Sequence, residues 1–314
     1  MLRAHIPILI TPSLQWFCRR ATGKVVFCTG GAGTICSAQV RALVHLGANA
    51  AIIGRNVEKT EAMAKDIETA RKGSKVIGLG GVDVRSFESL TQAVERTVKE
   101  LGGIDYVIAG AAGNFLAPIT GLSTNAFRTV MEIDVVGSFN TLKATLPYLI
   151  ESAAANKNDG KNPSTGGRII FVSATLHYSG TPFQTHVAAA KAAIDALSAN
   201  AAIEFGPRGV TSNIVAPGPI GATEGMERLV GAEGMEAAKA SVPLGRYGLV
   251  KEVADSTVYL FSDAGNFVNG NVLVVDGASW RTPMSGLSPE MSYPRNVLSG
   301  EVPKGVKSGR RTKL

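Results

Sequence analysis

The chain alternates short apolar runs with longer segments in which apolar residues recur every three or four positions. The apolar runs predict seven β-strands, at Lys24–Thr29, Ala50–Gly54, Lys75–Val82, Ile104–Ala109, Arg168–Ser173, Val210–Val215 and Val272–Val275. The periodic segments predict helices at Val57–Arg71, Phe87–Leu101, Asn125–Ile150, Val187–Phe205 and Lys251–Phe261. Strands that are apolar throughout are typical of a parallel sheet with helices on both faces. We therefore predict a doubly wound α/β fold, which binds ligands beyond the carboxyl ends of its strands.

The remaining segments suggest one folded domain with two extensions. The 314 residues would fit either two domains or one large α/β domain, and no boundary inside residues 21–283 is evident. We expect residues 1–20 to be an N-terminal extension and residues 155–167 to be a surface loop. Beyond position 283 the periodicity fades, so residues 284–314 are expected to form an irregular tail.

Composition and charge exclude several classes of protein. Hydrophobic residues make up 45% and charged residues 18% of the chain, which excludes a disordered protein. No apolar run approaches the roughly 18 residues of a membrane span. The net charge of +7 comes from the termini, with +3 in residues 1–20 and +4 in residues 301–314. Since residues 21–300 are balanced, we expect no nucleic-acid-binding face.

The cysteines indicate a reducing compartment. Cys18, Cys28 and Cys36 are odd in number and lie close together near the start of the chain. Such an arrangement does not suit a disulfide framework. We identify no metal-ligand motif.

A glycine-rich turn follows the first strand, with the sequence Thr29-Gly30-Gly31-Ala32-Gly33-Thr34-Ile35-Cys36. Glycines between a strand and a helix allow the backbone to approach a pyrophosphate, although a simple tight turn would use the same residues. The second strand is followed by Arg55, at the place where an acidic residue would bind the ribose of NAD. An arginine suits a 2′-phosphate, so we predict NADP(H); alternatively, Arg55 is a solvated loop residue.

Further segments occur in a characteristic order. Asp83 follows the third strand, Lys191 lies in the helix after the fifth, and two glycine-containing segments follow the fourth and sixth strands, Ala109-Gly110-Ala111-Ala112-Gly113 and Ala216-Pro217-Gly218-Pro219-Ile220. In order and spacing, residues 22–280 resemble the short-chain dehydrogenase/reductase family. This resemblance implies a single Rossmann-like domain, strand order 3-2-1-4-5-6-7 and, usually, a homotetramer. It implies a cofactor site formed by Gly30, Gly31, Ala32, Gly33, Thr34, Ile35, Arg55, Asp83, Val84, Gly110, Lys191, Pro217, Gly218, Ile220 and Thr223.

The chain departs from the family pattern at two points. Thr34 and Cys36 replace the second and third glycines of the TGxxxGxG loop, so we expect Thr34 to crowd the approach of phosphates. The family's Ser, Tyr and Lys, with an Asn on the preceding helix, correspond here to Ala174, Val187, Lys191 and Asp134. Neither Ala174 nor Val187 can donate a proton to a carbonyl oxygen, which disfavours simple carbonyl reduction.

Hydride addition to a conjugated carbon–carbon double bond makes a different demand. It needs donors to a distant carbonyl oxygen and a separate proton source. Asp134 holding a water, with His186 nearby, would meet this demand, whereas Tyr178 is a less suitable substitute phenol because it lies nine residues from Val187.

Four segments resemble the peroxisomal 2,4-dienoyl-CoA reductases in particular: 111–115, 132–134, 186–191 and 218–225. This resemblance implies NADPH-dependent reduction of 2,4-dienoyl-CoA to trans-3-enoyl-CoA, an auxiliary step in β-oxidation of unsaturated fatty acids. It implies that Asp134 acts as the acid through a water and that Lys191 holds the nicotinamide ribose. The acyl-CoA site would be lined by Arg85, Phe115, Ser123, Thr124, Asn125 and Arg228.

Two alternatives remain open from the sequence. The losses at positions 174 and 187 would also suit a catalytically silent NADP-binding subunit or another acyl-CoA reductase of the same fold. Individual residues have simpler interpretations too: Asp134 as a structural group, His186 as a helix-start residue without a chemical role, and Lys191 and Arg228 as surface charges.

The ends of the chain suggest where the protein works. The final residues Thr312-Lys313-Leu314 resemble the Ser-Lys-Leu signal read by the peroxisomal import receptor. Arg3, Arg19 and Arg20, in a region without acidic residues, are similar to a mitochondrial transit peptide. We predict a peroxisomal protein, with the mitochondrion as the alternative.

Overall fold

The computed structural model describes residues 21–159, 165–223, 239, 242–282 and 295–299. Its strands are β1 (Val25–Thr29), β2 (Asn49–Ile53), β3 (Val76–Leu79), β4 (Tyr106–Ala109), β5 (Arg168–Val172), β6 (Thr211–Pro217) and β7 (Val272–Val275). Its helices are α1 (Thr34–His45), α2 (Val57–Glu68), α3 (Phe87–Leu101), α4 (Thr124–Met131), α5 (Gly137–Ala155), α6 (Leu176–Ser179), α7 (Thr185–Phe205), α8 (Val250–Phe261) and α9 (Arg295–Ser299). The seven predicted strands are therefore confirmed, with shifted ends.

The strands form one parallel sheet. Their order is β3-β2-β1-β4-β5-β6-β7, as the family resemblance implies. Thr29 pairs with Ile53 on one side and with Ala109 on the other, so the carboxyl ends of β1, β2 and β4 lie at the same edge. The predicted doubly wound α/β fold is confirmed, and this edge is where a ligand is expected.

Helices cover both faces of the sheet. Alternate residues of β1 enter two separate cores: Phe27 packs in the core that contains residues of α3 and α5, and Val26 packs in the core that contains residues of α1 and α8. All five residues of β1 are buried. A strand buried on both faces needs apolar residues at successive positions, which explains the uninterrupted apolar runs in the sequence.

Two segments differ from expectation. The helix predicted at Asn125–Ile150 is divided by a π-helical turn, Glu132–Val136, between α4 and α5. The tail expected to be irregular contains α9, so that expectation fails for those five residues, while positions 283–294 and 300–314 lie outside the described residues. In the part of the chain that the structure describes, no helix is long and apolar enough to cross a membrane.

Candidate active site

A cleft of about 580 Å³ opens at the carboxyl edge of the sheet. The segments that follow β1, β2 and β4 form its walls. Five predicted cofactor residues line this cleft: Gly30, Ala32, Gly33, Arg55 and Gly110. Six residues that were not predicted to bind the cofactor also line it: Ile53, Gly54, Asn56, Lys59, Thr60 and Ala112.

The turn after β1 has the geometry of a phosphate loop. Gly30 has a φ of +69°, and a Cβ there would lie 2.8 Å from the carbonyl oxygen of Gly110. Only glycine combines this backbone conformation with so close an approach. Gly33 is the N-cap of α1, and no side chain caps this helix, so its first N–H groups remain available to an anion. The loop therefore fits the pyrophosphate of a dinucleotide.

The unusual Cys36 is accommodated by a glycine on the neighbouring strand end. A Cβ at Gly110 would lie 2.3 Å from Cys36 Sγ, so the thiol occupies the space that a side chain at position 110 would fill. The Cys36 thiol is also 3.9 Å from the Gly110 carbonyl oxygen. Thr34 is the first residue of α1, directly after the Gly33 N-cap. Cys36 of α1 can thus pack closely against the end of β4 because position 110 has no side chain.

Two basic residues lie at the β2 side of the cleft. Arg55 follows β2, and Lys59 lies in the first turn of α2. The Asn56 side chain caps α2 by accepting a hydrogen bond from the Lys59 backbone N–H at 2.8 Å. The cap fixes the start of α2 beside Arg55. A basic residue four positions after Arg55 is the signal that could have identified Lys59 from the sequence.

Asp83, after β3, is paired instead of free. Its carboxylate accepts hydrogen bonds from the Arg85 side chain at 2.6 to 3.0 Å. Hydrogen bonding to Arg85 lowers the pKa of Asp83, which burial partly opposes. The backbone here is tied to α5, because the Asn140 side chain donates to the carbonyl oxygen of Val84 at 3.0 Å. Arg85, expected to contact the acyl-CoA, is bound to Asp83 in this structure.

The predicted cofactor residues after β6 form a compact turn. The Gly218 N–H donates to Val275 O of β7 at 3.0 Å, and Thr223 Oγ1 donates to Ile220 O at 2.9 Å. Ile220 and Thr223 are both buried. Pro217, the last residue of β6, precedes this turn at the same sheet edge as the cleft.

Asp134 lies in the π-helical turn and is completely buried. Its Oδ1 accepts a hydrogen bond from the Gly113 N–H at 2.7 Å. Its Oδ2 lies 3.2 Å from Lys191 Nζ, an ion-pair distance without an aligned hydrogen bond. π-Helical turns are rare and often occur at functional sites. The structure therefore brings two predicted catalytic residues together, with one carboxylate oxygen available for a further donor.

Lys191 has a second contact that fixes its position. Its Nζ donates to the carbonyl oxygen of Val172, at the end of β5, at 3.1 Å. Lys191 is itself buried, which argues against the alternative of a surface lysine. The ammonium group is thus held between the sheet edge and Asp134.

His186 is completely buried and stacks on Phe115, with ring centroids 4.2 Å apart. Neither ring nitrogen has a hydrogen bond with the described residues. Burial lowers the pKa of His186, and the Phe115 backbone and the Asp134 charge partly oppose this shift. A neutral imidazole has one donor and one acceptor, and neither is satisfied within the described residues.

The position of the usual phenol is filled by an apolar side chain. Val187 is buried and belongs to a small cluster with Val130 and Ala190. Tyr178 does not replace the phenol, because its hydroxyl donates to Asp195 Oδ2 at 2.8 Å. Burial and the bond to Asp195 both raise the pKa of Tyr178. Ser173, which the sequence analysis missed, has a buried hydroxyl without a partner in the described chain.

The predicted acyl-CoA residues are only partly assembled. Phe115 lies against His186, whereas Ser123 is the N-cap of α4 and accepts from the Ala126 N–H at 3.1 Å. Thr124 and Asn125 are exposed in the first turn of α4. Arg228 lies outside the described residues.

Comparisons with known proteins agree with this geometry. A family described as enoyl-(acyl carrier protein) reductase matches residues 30–278. A peroxisomal 2,4-dienoyl-CoA reductase of Saccharomyces cerevisiae, described as (3E)-enoyl-CoA-producing, is 52% identical over 82% of this chain and 84% of its own length. One of Danio rerio with the same description is 42% identical over 82% of each chain.

Solved structures show the same fold. A short-chain dehydrogenase from Bacillus anthracis superposes with a TM-score of 0.71 and 33% identity, covering 83% of this chain and 98% of that one. This fold implies that the chain binds a nicotinamide cofactor. The chain belongs to the short-chain dehydrogenase/reductase family.

Proposed function

We propose that this protein is an NADPH-dependent 2,4-dienoyl-CoA reductase that forms trans-3-enoyl-CoA during β-oxidation of unsaturated fatty acids. The observation that carries the proposal is the buried pair of Asp134 and Lys191 at 3.2 Å, next to Val187 where the family's phenol would stand. Such a site cannot protonate a carbonyl oxygen through Val187, but it can hold water beside a substrate carbon. The two relatives described above carry the same activity in their names.

The first task of the site is to stabilise charge on the thioester oxygen. The hydride for the δ carbon would come from NADPH when it is bound, and the thioester oxygen would then carry the negative charge delocalised from the conjugated carbons. His186, whose ring nitrogens have no hydrogen bond within the described residues, would donate its ring N–H to this oxygen. A donor placed for a developing oxyanion is worth about 3 kcal/mol.

The second task is to deliver a proton to the α carbon. Asp134 Oδ1 is held by Gly113 N–H, so Oδ2 is the atom that can accept from a water. Lys191 lies beside the same oxygen and also binds the nicotinamide ribose. The water held by Asp134 would donate a proton to the α carbon. Lys191 would return a proton to this water and would itself be reprotonated from solvent.

NADP is preferred over NAD because the cleft is basic beside the ribose site. Among the described residues that line it, Arg55 and Lys59 are basic and none is acidic. A 2′-phosphate would gain charge-assisted hydrogen bonds there, and NAD has no such phosphate.

The cellular setting is proposed from the ends of the chain and from the relatives. We infer a peroxisomal enzyme that binds the import receptor through Thr312-Lys313-Leu314, carried on a tail of residues 284–314 that follows the domain of residues 21–283. Residues 1–20 would be an extension. A homo-oligomer is supported by exposed apolar side chains at Phe139, Ile203 and Phe267.

The test is NADPH oxidation by purified protein offered a 2,4-dienoyl-CoA, a 2-enoyl-CoA and a 3-ketoacyl-CoA of equal length. We expect consumption with the dienoyl thioester only. In Asp134→Asn, kcat should fall about 10²- to 10⁴-fold while NADPH affinity is retained. Asp255→Asn, an exposed carboxylate on α8, is the control and should leave kcat unchanged.

The alternatives predict other results. NADPH binding without turnover of any thioester would identify a silent subunit. Steady reduction of the 3-ketoacyl-CoA would identify a different acyl-CoA reductase, and full activity of Asp134→Asn would refute the proposed acid.

A further inference from the structure

Phe183 is unusual both in its exposure to solvent and in its backbone conformation. It is a large apolar residue with 54% of its surface exposed, and its φ is +62°. The left-handed region is sparsely populated by residues other than glycine, asparagine and aspartate. Such departures cluster at sites of ligand binding, where the surrounding structure maintains them.

A tight turn holds Phe183 in this conformation. The Gln184 N–H donates to Thr181 O at 3.3 Å, which closes a four-residue turn with Pro182 and Phe183 at its centre. Proline followed by a residue with positive φ is the arrangement of a type II turn, in which glycine is favoured at the second central position. A phenylalanine there is unfavourable for the turn, so its ring must serve another purpose.

The turn is connected directly to the candidate active site. Phe183 O accepts a hydrogen bond from the Ala117 N–H at 3.1 Å, and the Gln184 side chain donates to Phe115 O at 3.4 Å. Phe115 in turn stacks on His186. The strained residue is therefore fixed to the loop that forms one wall of the site.

That loop carries further exposed apolar side chains. Leu116 is 48% and Ile119 is 73% exposed, while Phe115 is 38% exposed. Together with Phe183 they continue the site outward as an apolar surface, which we call the apolar wall (Phe115, Leu116, Ile119 and Phe183). An apolar surface that begins at the reacting groups suits a hydrocarbon chain attached to the reacting carbons.

We propose that the apolar wall binds the acyl chain beyond the conjugated carbons and that Phe183 sets the preference for chain length. This inference rests on the proposed function for the identity of the chain. The unfavourable backbone conformation of Phe183 is maintained because it places the ring against the acyl chain. A short dienoyl thioester ends before it reaches Phe183, whereas a long one covers the ring.

The test measures binding separately from turnover. Affinities of hexanoyl-, decanoyl- and tetradecanoyl-CoA are determined by calorimetry with NADP⁺ present, for the wild type and Phe183→Gly. Glycine relieves the positive φ, so this variant should fold normally. We expect the Kd for tetradecanoyl-CoA to rise about tenfold and that for hexanoyl-CoA to change less than about twofold.

Control variants separate the ring from the turn. Phe183→Leu keeps an apolar side chain and should retain most of the affinity for the long chain. Ile119→Ser should repeat the length-dependent loss in a residue without backbone strain.

Equal weakening for all lengths, or no weakening for tetradecanoyl-CoA, would overturn the proposal. Kinetics on dienoyl-CoA substrates should show the same length dependence in KM, with kcat for hexadienoyl-CoA unchanged. Failure of the wild type to reduce any dienoyl-CoA would instead refute the proposed function, and the binding data would still decide the role of Phe183.

Discussion

At the scale of single residues, His186 links stability to pH. Burial disfavours the charged imidazolium, so the folded-state pKa lies below the unfolded value of about 6.5. As pH falls below that value, the unfolded chain binds a proton at this position before the folded chain does. Stability is therefore lost as pH decreases towards the folded-state pKa and is fully present at higher pH.

The expected result is a weaker pH dependence in His186→Gln. Below about pH 6.5, the slope of unfolding free energy against pH should be smaller than in the wild type, by up to about 1.4 kcal/mol per pH unit. Urea denaturation at several pH values measures it. Parallel slopes for His186→Gln and the wild type would contradict the argument.

The family resemblance was enough to single out Asp134 and Lys191, because their positions relative to the strands match those of the family's motif. It was not enough for Ser173, whose importance depends on a buried hydroxyl without a partner. Gln184 and Phe183 were missed as well. The residue type reveals neither the burial of the Gln184 amide nor the positive φ of Phe183. Contacts made through the backbone leave no signature in side-chain identity.

At the scale of elements, the packing of α1 against the end of β4 depends on the sizes of the residues at positions 36 and 110. Cys36 occupies space that a side chain at position 110 would need. Gly110→Ala should lower the free energy of unfolding by about 1 to 3 kcal/mol through overpacking. In a Cys36→Ala background the same change should cost less than about 1 kcal/mol, because the thiol is gone.

A double-mutant cycle by urea denaturation measures this coupling. Cys28→Ala is a suitable control background, since Cys28 is buried nearby but is not among the atoms closest to a Cβ at position 110. The cost of Gly110→Ala should stay high there. An equal cost in all three backgrounds would show that another contact, such as Thr29 O at 3.2 Å, limits position 110.

The elements themselves were largely predictable. Uninterrupted apolar runs located all seven strands, and α3 was predicted with its exact ends because Ser86 caps it and Gly102 ends it in a left-handed conformation. The division of the helix at 132–136 was not predicted. One extra residue in a turn leaves the apolar pattern nearly intact, so periodicity cannot reveal it.

At the scale of the whole molecule, cofactor binding should stabilise the fold, and the size of the Tm shift should depend on whether the cofactor carries a 2′-phosphate. Bound NADPH raises the Tm by mass action. Arg55→Ser should weaken NADPH binding about 10- to 100-fold, the value of a lost charge-assisted contact, and reduce the Tm shift accordingly. The shift caused by NADH should be unchanged.

Differential scanning fluorimetry with both cofactors is the measurement. Arg208→Ser, an exposed arginine after α7, is the matched control and should leave both shifts as in the wild type. A loss of the NADH shift in Arg55→Ser would mean that Arg55 contacts a part common to both cofactors. The whole-molecule architecture could be predicted because strand order follows from the family pattern. The predicted acyl-CoA site includes Arg228, which lies outside the described residues.

The π-helical turn sets the direction in which Asp134 points around the helix axis. Each residue of an α-helix advances about 100° around the axis, so one inserted residue rotates everything before it relative to everything after it. Asp134 faces Lys191 and Gly113 only in the present phase. Deleting Val135, half-buried in this turn, would restore a regular helix, yet α4 and α5 could not both keep their packing. One inserted residue in this helix thus decides whether Asp134, the predicted acid, faces Lys191.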